Sequence, residues 1–318
     1  MKILANDGIS ESGKSTLENA GFEVIATKVA QEQLDNFIND EGINAIIIKN
    51  NTEIHSELID NCPSLKLIAN ASSNNDNIDV AYAQECGVQV VNISDASANA
   101  VAELVFAHLL GMARFLHQAN REMPLEGDMN FNNLKKQFSN GTELRGKTLG
   151  IIGMSTSGQQ VAKIALGLGM KVVGYDVNYE NTITIPVEFY NGQILDFEID
   201  LISSDELLKE AHFISLHLEA QENHLIGVKE FEKMKDGVGF INVAQSGLVD
   251  EIALIKAIES GKVQYAALDT FENQPKPEIQ LLMNPELSLS PNIAANTIES
   301  QHKTGVELAN KIIESLHI

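Results

Sequence analysis

The chain has 318 residues, 44% hydrophobic and 21% charged, which is globular composition with apolar mass for two ordinary domains. Its 22 Lys and Arg stand against 44 Asp and Glu, a formal charge of −22. A field of that sign repels polyanions, so nucleic-acid and anionic-membrane partners are excluded.

Short β-type runs alternate with helical stretches. Strands are expected at residues 3–7, 22–27, 45–49, 65–70 and 88–93, with a first helix at 12–20. That βαβ rhythm predicts a parallel sheet covered by helices on both faces. Residues 98–116 form one long helix, apolar nearly all round (Val101, Leu104, Val105, Leu109, Leu110, Met112), and such a helix must be buried on several sides. From Arg121 to Glu143 the pattern breaks at Pro124, Gly127 and repeated Asn, and a long connection is expected. A second α/β block follows, with strands at 148–153, 171–176, 213–217, 239–243 and 265–269 and a helix at 159–168. A small β excursion is expected within 182–199. The helix at 250–260 should be capped by Asp250 and stopped by Gly261, and a final helix covers 299–316.

Cys62 and Cys86 lie outside any Cys/His cluster, which argues against a disulfide framework and a zinc site. Both are expected as buried thiols, and no metal is expected. With no Trp and 5% aromatic residues the core must be aliphatic. No apolar signal core follows Met1 and no run approaches the ~20 apolar residues of a membrane span, so the expected location is the cytoplasm.

The stretch Gly153-Met-Ser155-Thr156-Ser157-Gly158 follows a strand and opens a helix, and Asp176 ends the next strand. This is the layout of a dinucleotide-binding βαβ unit. The first Gly permits the tight turn, the third permits helix–strand packing, and the helix N-terminus offers amides to a diphosphate. Asp176 would accept from a ribose hydroxyl and disfavour a 2′-phosphate. Ser155 holds the second Gly position, where its Cβ and hydroxyl would project toward the diphosphate, so weakened affinity is expected. The competing reading is a strand–turn–helix with no ligand.

The segments Glu143–Gly153, Ala211–His217, Gly247–Glu251 and Ala267–Glu272, with Asp76–Asp79 and Val101–Glu103, resemble the D-2-hydroxyacid dehydrogenase family over essentially the whole chain. The likeness is greatest to its phosphoglycerate-oxidising branch in short form, without a regulatory C-terminal domain. The resemblance implies an α/β protein of two doubly wound parallel-sheet domains. A Rossmann-type nucleotide domain (98–292) is inserted into a flavodoxin-like substrate domain (1–97 plus 293–318), with the active site in the cleft between them. It further implies NAD as cofactor, a 2-hydroxy or 2-oxo acid as ligand, and a homodimer joined partly through the long helix. His217, Ala244 and Asp269 then join Gly153, Ser155, Thr156, Ser157, Gly158 and Asp176 at the cofactor. Asp269 resembles the residue that contacts the nicotinamide amide. Lys49, Asn50, Ser72, Ser73 and Asn74 fall on the substrate loops.

The family's three chemical positions depart. Its substrate-gripping Arg is Gln245, its Glu before a Pro is Gln274, and its acid–base His after a Pro is Asn292. Gln245 brings no charge and no two-pronged donor. Gln274 carries no negative charge to raise a histidine pKa. Asn292 does not titrate near neutrality. The expected consequence is a scaffold that is inactive or severely impaired, with weak NAD binding at most, either engineered to hold the fold with its site erased or a natural pseudoenzyme. The competing expectation is a working oxidoreductase with substitute groups, for which His217 is the best candidate, with Glu272 and Lys49 nearby. A third is a binding or scaffold protein. His108 and His117 read as packing or interface residues, and His212 and His224 as loop or cap residues.

Overall fold

The computed structural model describes residues 1–49, 51–72, 75, 77–93, 96–179, 181–219 and 223–316. It divides into two compact units, Met1–Ser97 with Asn296–Ile318, and Ala98–Ala295. The second crossing falls at Asn296 and not at 293. The reason is local: the backbone N–H groups of Ile293 and Ala294 bind the Asp269 carboxylate, which ties them to the second unit.

In the first unit five strands run parallel in the order β2-β1-β3-β4-β5: β1 (Lys2–Ala5), β2 (Glu23–Ile25), β3 (Ile43–Ile48), β4 (Leu67–Asn70) and β5 (Gln89–Asn92). This is the flavodoxin-like order. Both faces are covered, so Ala45-Ile46-Ile47-Ile48 is a continuous apolar run with no polar alternation. Leu4, Ile46, Ile48 and Ile68 pack on one face, and Ile3, Ala45, Ile47 and Leu67 on the other with Leu308 and Ile312. Helices Glu11–Asn19 and Ile298–Leu316 cross at Gly13 and Gly305, where a Cβ on Gly13 would lie 2.5 Å from the Gly305 carbonyl oxygen.

The second unit holds β6 (Thr148–Ile152), β7 (Lys171–Tyr175), β8 (Thr182–Glu188), β9 (Ile194–Leu201), β10 (Phe213–Leu216), β11 (Val238–Asn242), β12 (Val263–Leu268) and β13 (Leu287–Leu289). Their order is β13-β12-β11-β10-β6-β7-β9-β8, parallel except for β8 against β9. The six strands β9, β7, β6, β10, β11 and β12 reproduce the dinucleotide-binding order 3-2-1-4-5-6, so the expected fold class holds in both units. The excursion within 182–199 is the β8–β9 hairpin. Asp250 caps helix Glu251–Glu259 by accepting from the Ala253 N–H at 2.9 Å, and Gly261 follows with φ 76°.

Three expectations need correction. The long helix ends at Ala113, because Phe115 takes a left-handed φ of 54°, and a new helix begins at Leu116. The connection at 121–143 is largely helical, as Leu116–Glu126 and Phe131–Gln137. Pro124 sits inside the first of these, which extends by only two residues past it. Cys62 is buried as expected, but Cys86 is exposed, since it closes the short surface helix Val80–Glu85. Burial pushes the Cys62 thiol up to about 11. The strand β13 has no expectation to match it. Among the described residues no single helix is long and apolar enough to cross a membrane, and no cluster of His, Cys, Asp and Glu is placed to hold a metal.

Candidate cofactor and active site

The strand order of the second unit reverses between β6 and β10, and open α/β sheets bind ligands at the carboxyl ends of the strands at such a point. The residues singled out in this unit lie along that edge in sheet order. Asn292 follows β13, Asp269 and Gln274 follow β12, Ala244 and Gln245 follow β11, and His217 follows β10. The turn 153–158 follows β6, and Asp176 follows β7. Five inter-strand steps of about 4.8 Å make the row about 24 Å long.

The turn after β6 is fixed by two glycines. Gly153 has φ 96°, and a Cβ there would sit 2.5 Å from the His217 carbonyl oxygen. A Cβ on Gly158 would lie 2.2 Å from the Gly153 carbonyl oxygen. Helix Thr156–Gly167 therefore starts tight against the strand, and Ser155 supplies no side-chain cap. The first-turn N–H groups of that helix are not taken by a cap, which leaves a donor set of the kind that binds diphosphate. The Ser155 hydroxyl does not project toward that space. It donates to the His217 carbonyl at 2.9 Å, the nearest strong acceptor, so the expected obstruction by the hydroxyl is corrected. Asp176 binds the turn from its far side, taking the Met154 N–H at 2.7 Å on one oxygen and the Asn178 N–H at 2.8 Å on the other. Each oxygen keeps a lone pair for a diol. These residues fit a dinucleotide.

His217 is 3% exposed, with Nε2 2.8 Å from the Ser215 hydroxyl and Nδ1 3.2 Å from that of Ser157. Burial drives its pKa down to about 3. The imidazole is neutral at physiological pH, so it cannot donate the proton that a 2-oxo acid needs, and it fails as a substitute acid. The linkage has a definite sign. The unfolded chain takes up this proton near 6.5 and the folded chain near 3, so the contribution is complete above pH 6.5 and is lost as pH falls toward 3. Burial lowers His108, His117 and His212 in the same direction. We expect urea-unfolding stability to fall between pH 6.5 and 5 by up to about 1.4 kcal/mol per unit from His217 alone. The slope should flatten in His217→Gln. An equal slope in both proteins would contradict a buried neutral imidazole.

At the other end of the row two of the amides meet. The Asn292 Nδ2 donates to the Gln274 Oε1 at 3.1 Å, and Asn292 has φ 54°, a left-handed conformation that Asn tolerates. Gln245 has its carbonyl bonded by the Asn242 Nδ2 at 3.1 Å, while the Asn242 Oδ1 accepts from the Ala244 N–H. Three neutral amides thus stand where the resemblance places an Arg, a Glu and a His.

Asp269 is tied to the turn after β13. Its side chain is fully buried and points into the protein, where it accepts from the Ser290 hydroxyl, from the Ile293 N–H at 3.0 Å and from the Ala294 N–H at 2.8 Å. It holds the turn that carries Asn292. Behind it lies a network the sequence reading missed. His108 bonds Ser290 through Nε2 at 2.9 Å and Ser288 through Nδ1 at 2.8 Å. Because the Ser290 O–H is spent on the carboxylate, Nε2 must donate to Ser290 and Nδ1 must accept from Ser288. Glu272 also lies close by. Its Oε1 accepts the Glu251 N–H at 3.2 Å and stands 3.1 Å from the His224 Nε2.

In the first unit, Lys49 lies at the end of β3, its N–H donating to an Asp7 oxygen at 2.8 Å. Burial opposes the Asp7 charge, but donation from Lys28 and from the Lys49 N–H outweighs it and lowers the pKa. Ser72 follows β4, with its N–H on the Asn70 Oδ1 at 3.0 Å. Asn50, Ser73 and Asn74 lie outside the described residues. The sequence reading missed Asp7 and Asn6, whose side chains tie β1 to Lys28, Val29 and Thr52.

The model of the D-isomer-specific 2-hydroxyacid dehydrogenase NAD-binding domain matches residues 106–294. The chain is 36% identical to a hydroxypyruvate reductase of Thermotoga maritima, over 100% of this chain and 99% of that protein. It is 36% identical to a D-3-phosphoglycerate dehydrogenase of Methanocaldococcus jannaschii, over 98% of this chain but only 57% of that protein. Among solved structures it resembles a glyoxylate reductase from Paecilomyes thermophila, with TM-score 0.82, 29% identity and coverage of 99% and 95%. It also resembles the holo form of D-mandelate dehydrogenase from Rhodotorula graminis, with TM-score 0.85, 25% identity and coverage of 98% and 92%.

Proposed function

Because the chain belongs to the D-isomer-specific 2-hydroxyacid dehydrogenase family, we propose that it binds NAD at the carboxyl edge of the second unit but reduces 2-oxo acids, or oxidises 2-hydroxy acids, very poorly. When bound, the dinucleotide supplies or accepts hydride. What this chain's residues can do around it follows from their chemistry. The amides opening helix Thr156–Gly167 face a diphosphate, and Asp176 takes ribose hydroxyls. Gln245 offers one neutral donor to a carboxylate. Asn292, held on Gln274, offers a hydrogen bond to a carbonyl or hydroxyl but neither gives nor keeps its proton.

The observation that carries this reading is the Asn292–Gln274 amide pair. A Glu beside a His stabilises the protonated imidazole, whereas an amide beside an amide has no second protonation state to stabilise. Loss of an acid–base group costs ~10²–10⁴ in rate. The test is paired. Fluorescence titration should show NADH binding, weakened by the Ser155 Cβ beside the diphosphate space. Stopped-flow mixing with glyoxylate, hydroxypyruvate and 3-phosphohydroxypyruvate should show turnover well below one per second. Binding without turnover is the expected result, and brisk oxidation of NADH with any of the acids would overturn it.

A second reading has one observation in its favour, the His224–Glu272 pair, which combines an imidazole and a carboxylate two residues from Gln274. A working NAD-dependent oxidoreductase on a 2-hydroxy acid such as 3-phosphoglycerate would rely on it, and His224→Gln would abolish the activity. We propose also that the chain is a homodimer. Leu110, Leu116, Leu125, Met129 and Phe131 are all exposed on one stretch of the second unit, and a surface of that kind is buried by association. Light scattering should give twice the chain mass, and Leu116→Glu with Leu125→Glu should give the monomer.

A further inference from the structure

Net negative charge makes any convergence of cations in this chain informative. Lys147, His212 and Lys235 line one cavity of about 140 Å³ together with Thr142 and Gln264. It lies at the amino end of the second unit's sheet, because Lys147 precedes β6, His212 precedes β10 and Lys235 precedes β11. The proposed cofactor edge is the carboxyl end of the same strands. One strand of five residues separates the two, about 16 Å.

The donor set is specific. The Thr148 N–H donates to the His212 Nδ1 at 3.1 Å, so the neutral ring carries its proton on Nε2 and presents a donor there. The Lys235 Nζ reaches the Glu210 carbonyl at 2.6 Å, which fixes the ammonium but leaves its charge uncancelled. Among the described residues Lys147 is in no ion pair. One acid, Asp236, also lines the cavity, but it is bound by Lys262 at 2.9 Å and its side chain is almost fully exposed. The cations act on the imidazole. Burial lowers the His212 pKa, and the charges of Lys235 and Lys147 lower it further. Tyr265, the remaining titratable group on the cavity wall, has its hydroxyl raised by burial and by Glu286, so it stays neutral.

We propose that this cavity is a binding site for a small oxyanion of the phosphate class, held by two ammonium groups and one imidazole N–H. Two ammonium groups and one N–H on a single cavity suit an anion with several acceptor oxygens, and their charge favours a polyvalent one. The site is independent of the cofactor reading, since no residue is shared.

The probe is His212 itself. Its Cε1–H resonance is followed through a pH titration with inorganic phosphate, and again with potassium chloride at the same ionic strength. Phosphate should raise the His212 pKa by about one unit over the chloride control, because a bound phosphate anion favours the charged ring. Lys147→Gln should remove most of that rise, and Lys147→Gln with Lys235→Gln all of it. The single variant serves if loss of the Lys235–Glu210 contact unfolds the chain. Glycerol 2-phosphate in place of inorganic phosphate separates the sources: a rise with the ester as well assigns a phosphomonoester group, and a rise with phosphate alone assigns the free ion. An equal rise in chloride, or an unchanged phosphate response in Lys147→Gln, overturns the site.

Discussion

Placing the charges that the family resemblance implies, through Gln245→Arg, Gln274→Glu and Asn292→His together, is expected to raise NADH-dependent reduction of a 2-oxo acid by at least about 10²-fold over the parent chain. The scaffold is prepared for it. The Asn292 and Gln274 side chains already meet, Nδ2 to Oε1 at 3.1 Å, so a carboxylate and an imidazole at these positions start as neighbours. Glu has the shape of Gln. His is among the residues that tolerate positive φ, as the 54° of Asn292 requires. Arg at 245 is longer than Gln, but the position is only half-buried and its backbone is anchored by Asn242. The groups act as a unit, so each single substitution should stay within about tenfold of the parent and the gain should come chiefly from the combination. Steady-state assays across pH 5 to 9 give the decisive signature. The triple variant should show a titration from the new imidazole that the parent lacks. A triple variant no faster than the parent, yet folded and NADH-bound, would show that the barrier lies outside these three positions.

The sequence shows the fold clearly where burial is two-sided. Ala45–Ile48 and Leu149–Ile152 are unbroken apolar runs because helices cover both sheet faces, and such runs can only be central strands. Gly153 and Gly158 are equally legible, since backbone lies where their side chains would be. Segment 121–143 reads as a connection because Pro124, Gly127 and Asn signal one, while helices Leu116–Glu126 and Phe131–Gln137 bury few side chains and leave little periodicity to detect. β13 has three residues and no room for a pattern.

At the site the sequence gives residue types but not directions. Asp176 and Asp269 both end strands and read alike. One faces the glycine turn and is partly exposed, and the other is fully buried beneath the 291–294 turn. His217 follows a strand as an available acid would, but its burial between Ser157 and Ser215 keeps the ring neutral. His108 is 180 residues from Ser288 and 182 from Ser290, so no spacing could announce that they form one chain of hydrogen bonds.

That chain leads to the second large effect, Asp269→Ala, which should lower stability by several kcal/mol, because each buried donor left unsatisfied costs about 1–3 kcal/mol. The carboxylate accepts from Ser290, Ile293 and Ala294 where water does not reach, and its removal leaves those donors unsatisfied. Asp269→Asn keeps the volume, but its amide turns a donor toward one of the two backbone N–H groups, so a smaller loss of about 1–3 kcal/mol is expected. Urea midpoints at constant slope would measure both. The position also controls the site, because the Asn292 N–H is bonded to the Asp269 backbone carbonyl at 2.8 Å while the side chain holds the next two residues. Loss of the carboxylate should therefore free the turn and separate Asn292 from Gln274. Their side-chain amide resonances would broaden in Asp269→Ala and stay sharp in a distant variant of equal instability, such as Gly305→Ala in the other unit. Sharp amides in a destabilised Asp269→Ala would mean that Asp269 supports the unit as a whole and does not position the turn.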